Sequence, residues 1–291
     1  MSKRHFCPNT RLKVGALSVL IAALLLSASV AGGTAPVDVK RVLFVGNSLT
    51  YVNNLPEMFA ALANAGGRPM VSVDALVTGG GLIAERKREG VLAKLLSGRK
   101  FDVLVLQERG GLLACLAENA PDASCRDSVN AHRSIVNLAM QYGTKVVLYG
   151  TWGEAVRNQS KVSIGLIRLS KILNTQAVDV GAVFAELPRS QTLSDDEVHP
   201  TLFGSLIASV ILHHAILGHY PGARDISKSF KLYTPQQYFT AQQLISEQGT
   251  GFSLHPVQNM GLDAKQIRRA IIAATSTNTR KKNSTSTEFV N

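Results

Sequence analysis

Cysteine is scarce in this chain, three in 291 residues, and several common signatures are missing from it. No glycine-rich stretch runs on into Gly-Lys-Ser or Gly-Lys-Thr, so Thr78-Gly79-Gly80-Gly81 is not a phosphate-binding loop. No basic run is interleaved with aromatics and no nucleic-acid motif occurs. The formal net charge of +11 therefore does not by itself make nucleic acid an expected partner. No period of repetition occurs, which argues against a solenoid or a propeller. The longest apolar run near the amino end, Val14 to about Leu26, is short of a membrane span. Cys115 and Cys125 have no histidines spaced to complete a zinc site, so no metal is expected.

Lys3, Arg4, Arg11 and Lys13 precede that apolar run, and Ser29-Val30-Ala31 closes it with a small-x-small pattern. Residues 1–31 therefore read as a secretory signal peptide. The expectation is an exported chain, periplasmic or extracellular, without a stable membrane span after cleavage. Because residues 1–31 hold four basic residues and no acid, cleavage lowers the formal net charge from +11 to +7. That surface would attract anionic polymers, although a solvated basic surface with no dedicated partner is the simpler reading. Cys7 leaves with the peptide. In an oxidising compartment the remaining pair is expected to form a Cys115–Cys125 disulfide, whose loop either shapes a substrate rim or is a stapled insertion.

The rest of the chain alternates between two periodicities. Short β-branched runs at 41–45, 69–77, 101–106, 144–151 and 177–184 read as strands buried on both faces. Helical spacing falls between them, at 56–63, 83–96, 129–142 and 162–173, and a strongly apolar helix is expected at 202–217. About five strand-helix alternations predict a three-layer α/β/α sandwich on a roughly five-stranded parallel sheet. The main domain is expected over 32–219. Beyond it, a helical C-terminal extension is expected over 220–275, with one helix near 235–247 and another N-capped by Asp263. The Ser, Thr, Asn and Lys-rich end, 276–291, reads as a disordered tail.

Three features bear on chemistry. Gly46 ends the first strand and delivers Ser48 just past its carboxyl end, where open α/β sheets bind ligands. Glycines with free amides follow the second strand. Asp196 and His199 stand in Asp-x-x-His spacing before the apolar helix. A serine hydroxyl needs a base to become nucleophilic, and the base needs a carboxylate to orient it. A short loop supplies both.

At these positions the chain resembles the SGNH (GDSL-like) hydrolase superfamily. Gly46-Asn47-Ser48-Leu49-Thr50 stands where that family has Gly-Asp-Ser-Leu, and Asp196-Glu197-Val198-His199-Pro200 where it has Asp-x-x-His-Pro. The resemblance spans roughly residues 41–217 and implies a flavodoxin-like fold and an ester hydrolase without a cofactor. It implies Ser48 as nucleophile, His199 as base and Asp196 as orienting acid, with Asp195 the alternative. It also implies oxyanion donors at the Ser48 amide, at Gly80 with Gly79 next, and at a side-chain amide in the third block. There the chain departs from Gly-x-Asn-Asp and has Leu106-Gln107-Glu108, which makes Gln107 the candidate and the chain a divergent branch. Asn47 is expected to brace the turn through backbone hydrogen bonds. Trp152, at a strand end, either lines the substrate pocket or belongs to the core. His213 and His214 point about 100° apart on one helix and do not suit a shared metal. A carbohydrate or other small ester is the expected substrate. The rival reading is a non-catalytic envelope protein that binds a carbohydrate or an anion on the same scaffold.

Overall fold

The computed structural model describes residues 39–67, 69–153, 156–224, 226–231, 243–246 and 259–285. The expected signal peptide lies outside them. Five parallel strands make up most of a six-stranded sheet: β1 (Val39–Gly46), β2 (Met70–Val77), β3 (Val103–Gln107), β4 (Lys145–Gly150) and β5 (Gln176–Asp179). Their spatial order is β5-β4-β3-β1-β2. The chain thus moves outward from β1 to β2 and then crosses to the other side of β1 for β3. This reversal places a crevice between the carboxyl ends of β1 and β3.

Both faces of the sheet are buried, and the strand period of two decides which residue goes where. In β1, Val42 and Phe44 join one core while Leu43 and Val45 join the other, all fully buried. In β3, Val103 and Val105 face the first and Leu104 and Leu106 the second. A short helix α1 (Ser48–Tyr51) follows β1 and leads into α2 (Leu55–Ala65), which covers the first face. The second face is covered by α3 (Ile83–Glu89), α4 (Val91–Gly98), α6 (Ala123–Gln141) and α7 (Val156–Leu173), with the short α5 (Gly110–Ala114) at its edge. After β5 come the short α8 (Val180–Phe184) and α9 (Arg189–Thr192), then α10 (Leu202–Leu217), which packs on the first face beside α2.

The predicted helix over 83–96 is in fact two. Gly90 takes φ 70°, a left-handed conformation that favours glycine, and ends α3 where α4 begins. The fifth strand stops at Asp179, because the Asp179 carboxylate accepts a hydrogen bond from the Ala182 amide at 2.9 Å and caps α8. The extension is not purely helical. Its described parts are the strands β6 (Ile226–Lys231), β7 (Gln243–Ser246) and β8 (Asn259–Leu262), followed by helix α11 (Ala264–Thr285). β7 lies antiparallel against β2, so the part of the expected 235–247 helix that is described is a strand. An unpaired edge of β2 offers a row of backbone donors and acceptors, and pairing there outweighs local helical preference. β6 and β8 pair with each other. α11 continues past 276, into the expected tail, because extending a docked helix is far easier than nucleating one. Ile267, Ala270 and Ala274 bury its first turns against the same core as α10.

Candidate active site

At the end of β1 the backbone turns at Gly46 and Asn47. A Cβ at Gly46 would lie 2.4 Å from Thr50 Oγ1 and 2.5 Å from Gln107 Oε1, so the close approach requires glycine. Asn47 is the N-cap of α1: its Oδ1 accepts from the Leu49 amide at 3.1 Å, and its Nδ2 donates to the Gly81 carbonyl at 3.2 Å. One side chain thereby ties the turn after β1 to the glycine loop after β2. Beneath it, Gln107 Oε1 accepts from the Asn47 amide and from Thr50 Oγ1, both at 2.8 Å. Ser48 is left at the start of α1, partly buried, with no hydrogen bond to its hydroxyl among the described residues.

The second half of the site is the loop between α9 and α10. Its base is closed by backbone pairs, Thr201 N to Thr192 O and Ser194 N to His199 O, both 2.9 Å, around a Leu193–Pro200 bridge. Inside it, Asp196 Oδ1 accepts from the amides of Val198 (3.0 Å) and His199 (2.9 Å), and the Ser194 hydroxyl lies 2.8 Å away. Asp196 Oδ2 stands 2.6 Å from His199 Nδ1. Partial burial works against the charged carboxylate. Even so, the His199 amide and ring, the Val198 amide and the Ser194 hydroxyl together hold it well below the usual carboxylate range. With Nδ1–H committed to Asp196, Nε2 of a neutral His199 is an acceptor, and it makes no hydrogen bond among the described residues. Asp196, and not the exposed Asp195, is the acid that meets the ring.

Ser48, Gly80, Trp152 and His199 line one pocket of about 670 Å³, together with Leu49, Leu82 and Val198 among others. Gly80 takes φ 67° and is exposed there, whereas Gly79 is not part of the lining. Gln107 is placed elsewhere. It is 1% exposed, its Nε2 donates to the Glu108 carbonyl at 2.9 Å, and it does not line the pocket. The amide expected at the oxyanion thus lies under the nucleophile's turn. Trp152 is 7% exposed and stacks on Phe184 at 4.5 Å, yet it also forms pocket wall, so it is both core and lining.

The Cys115–Cys125 disulfide is formed. Ser124, inside its loop, and Leu112, just before it, line the pocket, so the stapled segment is part of the wall. By chain entropy such a loop contributes about 2 to 3 kcal/mol. Under this wall Glu108, 2% exposed, accepts from the Arg109 amide and the Ser128 hydroxyl, both at 2.8 Å. Burial raises its carboxyl above the usual range, against those hydrogen bonds.

Sequence reasoning missed two braces of the histidine loop. Asn53 Nδ2 donates to the Pro200 carbonyl (2.9 Å) and reaches Ser205 Oγ (3.0 Å), and Trp152 Nε1 donates to the Val198 carbonyl at 2.8 Å. The available signal for the first was the doubled Asn53-Asn54, since asparagine tolerates the left-handed φ of 58° and 50° found there.

No family model and no curated protein matches the chain. Among solved structures, it is similar to a protein from Slackia heliotrinireducens assigned to the SGNH hydrolases, with 26% identity over 60% of this chain and 98% of the other, at a TM-score of 0.50. An acetylxylan esterase from Geobacillus stearothermophilus (15% identity, 62% and 93% covered, TM-score 0.47) and a lipase/acylhydrolase from Enterococcus faecalis (18%, 62% and 96%, TM-score 0.47) are more distant.

Proposed function

Because the chain belongs to the SGNH-like hydrolase superfamily, we propose that it is an exported serine esterase that cleaves carboxylic esters through an acyl-serine intermediate. One observation carries this reading: Ser48, His199 and the Gly80 backbone face a single pocket, with Asp196 bonded to the far side of the imidazole. In it, His199 Nε2 takes the proton of Ser48 Oγ as that oxygen attacks the ester carbonyl. Asp196 fixes the ring through Nδ1–H and stabilises the imidazolium that forms. The amides of Ser48 and Gly80 receive the oxyanion. Collapse of the intermediate expels the alcohol, protonated by His199, and a water molecule then repeats the sequence on the acyl-serine. Ser48 Oγ and His199 Nε2 are not hydrogen-bonded to each other, as is common before substrate tightens a site.

Gln107 has a different part in this reading from that expected of it. It braces Asn47 and Thr50 and so positions the nucleophile's turn. Among esters, an O-acetyl group on a carbohydrate is the first substrate to test, and the exported location belongs to the same proposal. Purified protein should hydrolyse p-nitrophenyl acetate and be labelled at Ser48 by a fluorophosphonate, with both signals absent in Ser48→Ala. Folded protein that shows neither would leave the scaffold as a carbohydrate- or anion-binding module.

A further inference from the structure

Of the residues that line the pocket, only Arg109, Glu197 and His199 can carry charge. His199 is taken up by Asp196. Glu197 turns toward Arg189, whose Nη2 lies 3.5 Å from its carboxylate. Arg109 is left. Arg109 is exposed and forms neither a salt bridge nor a side-chain hydrogen bond among the described residues, although its charge is felt by the buried Glu108 carboxylate. Its nearest acid in sequence, Glu108, is buried and spends its oxygens on the Arg109 amide and the Ser128 hydroxyl.

The backbone that carries Arg109 is fixed on two sides. The Glu108 carboxylate holds its amide at 2.8 Å. Gly110 is packed so closely on the Trp152 carbonyl that a Cβ there would lie 2.5 Å from it. A rigid backbone with an unpaired guanidinium at a pocket wall is suited to an anion. A planar fork of donors fits a carboxylate in two-point contact, and a pocket wall screens charge less than open water does.

We infer that Arg109 makes this pocket selective for esters that carry a carboxylate on the alcohol portion, as an O-acetylated acidic sugar does. The inference rests on the esterase reading above. In the proposed reaction the guanidinium touches the non-reacting part of the substrate, so it acts through KM and kcat/KM rather than through the proton transfers.

The test uses two acetates that differ in charge, 4-acetoxybenzoate and 4-acetoxybenzamide, with phenol release as the readout. The quantity of interest is the ratio of their kcat/KM values, compared between wild type and variants, since this cancels the intrinsic reactivity of each ester. In Arg109→Gln the ratio should fall about tenfold, the loss expected for one charge-assisted contact in a partly solvated place. Arg109→Lys, which keeps the charge without the fork, should recover part of it. Raising salt from about 0.05 to 0.5 M should shrink the wild-type ratio and leave the Gln variant's unchanged. A thermal unfolding midpoint of Arg109→Gln equal to that of wild type shows that the variant is folded. An equal ratio in wild type and Arg109→Gln overturns the inference while leaving the esterase intact. Failure of the wild type on both esters sinks the esterase reading and the inference with it.

Discussion

The two halves of the site are built in opposite ways. Ser48 sits on a turn that the packed core presses into shape: Gly46, Asn47, Thr50 and Gln107 are all buried, and Gln107 binds Asn47 and Thr50 from about sixty positions away in sequence. His199 and Asp196 sit on an exposed loop whose bonds are mostly internal and local, anchored from outside by Asn53 and Trp152. The first half is held by volume and burial, the second by polar ties. A change in the first should therefore cost stability and activity together, and a change in the second should cost activity far more than stability.

The largest effect is expected at Asp196. Asp196→Asn keeps the size of the side chain but removes the charge and the acceptor that fixes the Nδ1–H tautomer, so kcat should drop by about 10⁴-fold, a far larger effect than its loss of Tm. A kcat within tenfold of wild type would remove Asp196 from the triad.

Acid should separate the buried core from the histidine loop next. On the buried side, desolvation lowers His132 to about 4, with its ring bonded to the Ser128 carbonyl. The folded state then binds fewer protons than the unfolded one between an ordinary histidine value and about 4, so stability falls as pH drops through that window. Burial has the same effect at His213, also lowered to about 4. By the unit-shift relation each histidine accounts for about 3 kcal/mol. His132→Gln should flatten the slope by its share, measured by denaturant unfolding across that range. Asp196 loses its contribution at lower pH, because a depressed carboxyl stabilises the fold above the ordinary aspartate range and stops doing so as pH falls below it. An unchanged slope in His132→Gln would show that this core histidine of α6 does not titrate this way.

Gly46→Ala should cost about 2 to 3 kcal/mol of stability by overpacking and depress turnover with it. Gln107→Ala should also lower Tm and kcat together, because it frees the Asn47 amide and Thr50 Oγ1. A 10²- to 10³-fold loss of kcat at unchanged Tm would instead return Gln107 to the oxyanion. The smallest effect is expected at Asn53→Ala, about 1 kcal/mol for a lost hydrogen bond, seen in kcat as the histidine loop loosens. A fall in Tm without a fall in kcat there would mean that the loop does not need this tie.

The alternation of strand and helix, the buried strand ending at Ser48, the Asp-x-x-His spacing and the cysteine pair could all be read from residues close together in the chain. Periodicity and three-residue spacing are local quantities, and the local backbone follows them. Other features depended on partners that no local reading supplies. Gln107 was legible as an amide at a strand end, but its direction was decided by Asn47 and Thr50, which the sheet brings beneath it. Gly80 was separated from Gly79 by which of them meets the pocket. Gln243–Ser246 became a strand because β2 had an open edge. Asn53 and Trp152 reached the histidine loop across gaps of 147 and 46 residues. The sequence by itself determined the strand-helix alternation of the main domain and which groups end its strands. Tertiary structure decided where those groups point, because a side chain's direction depends on the neighbours that satisfy it, and here those neighbours are distant in the chain.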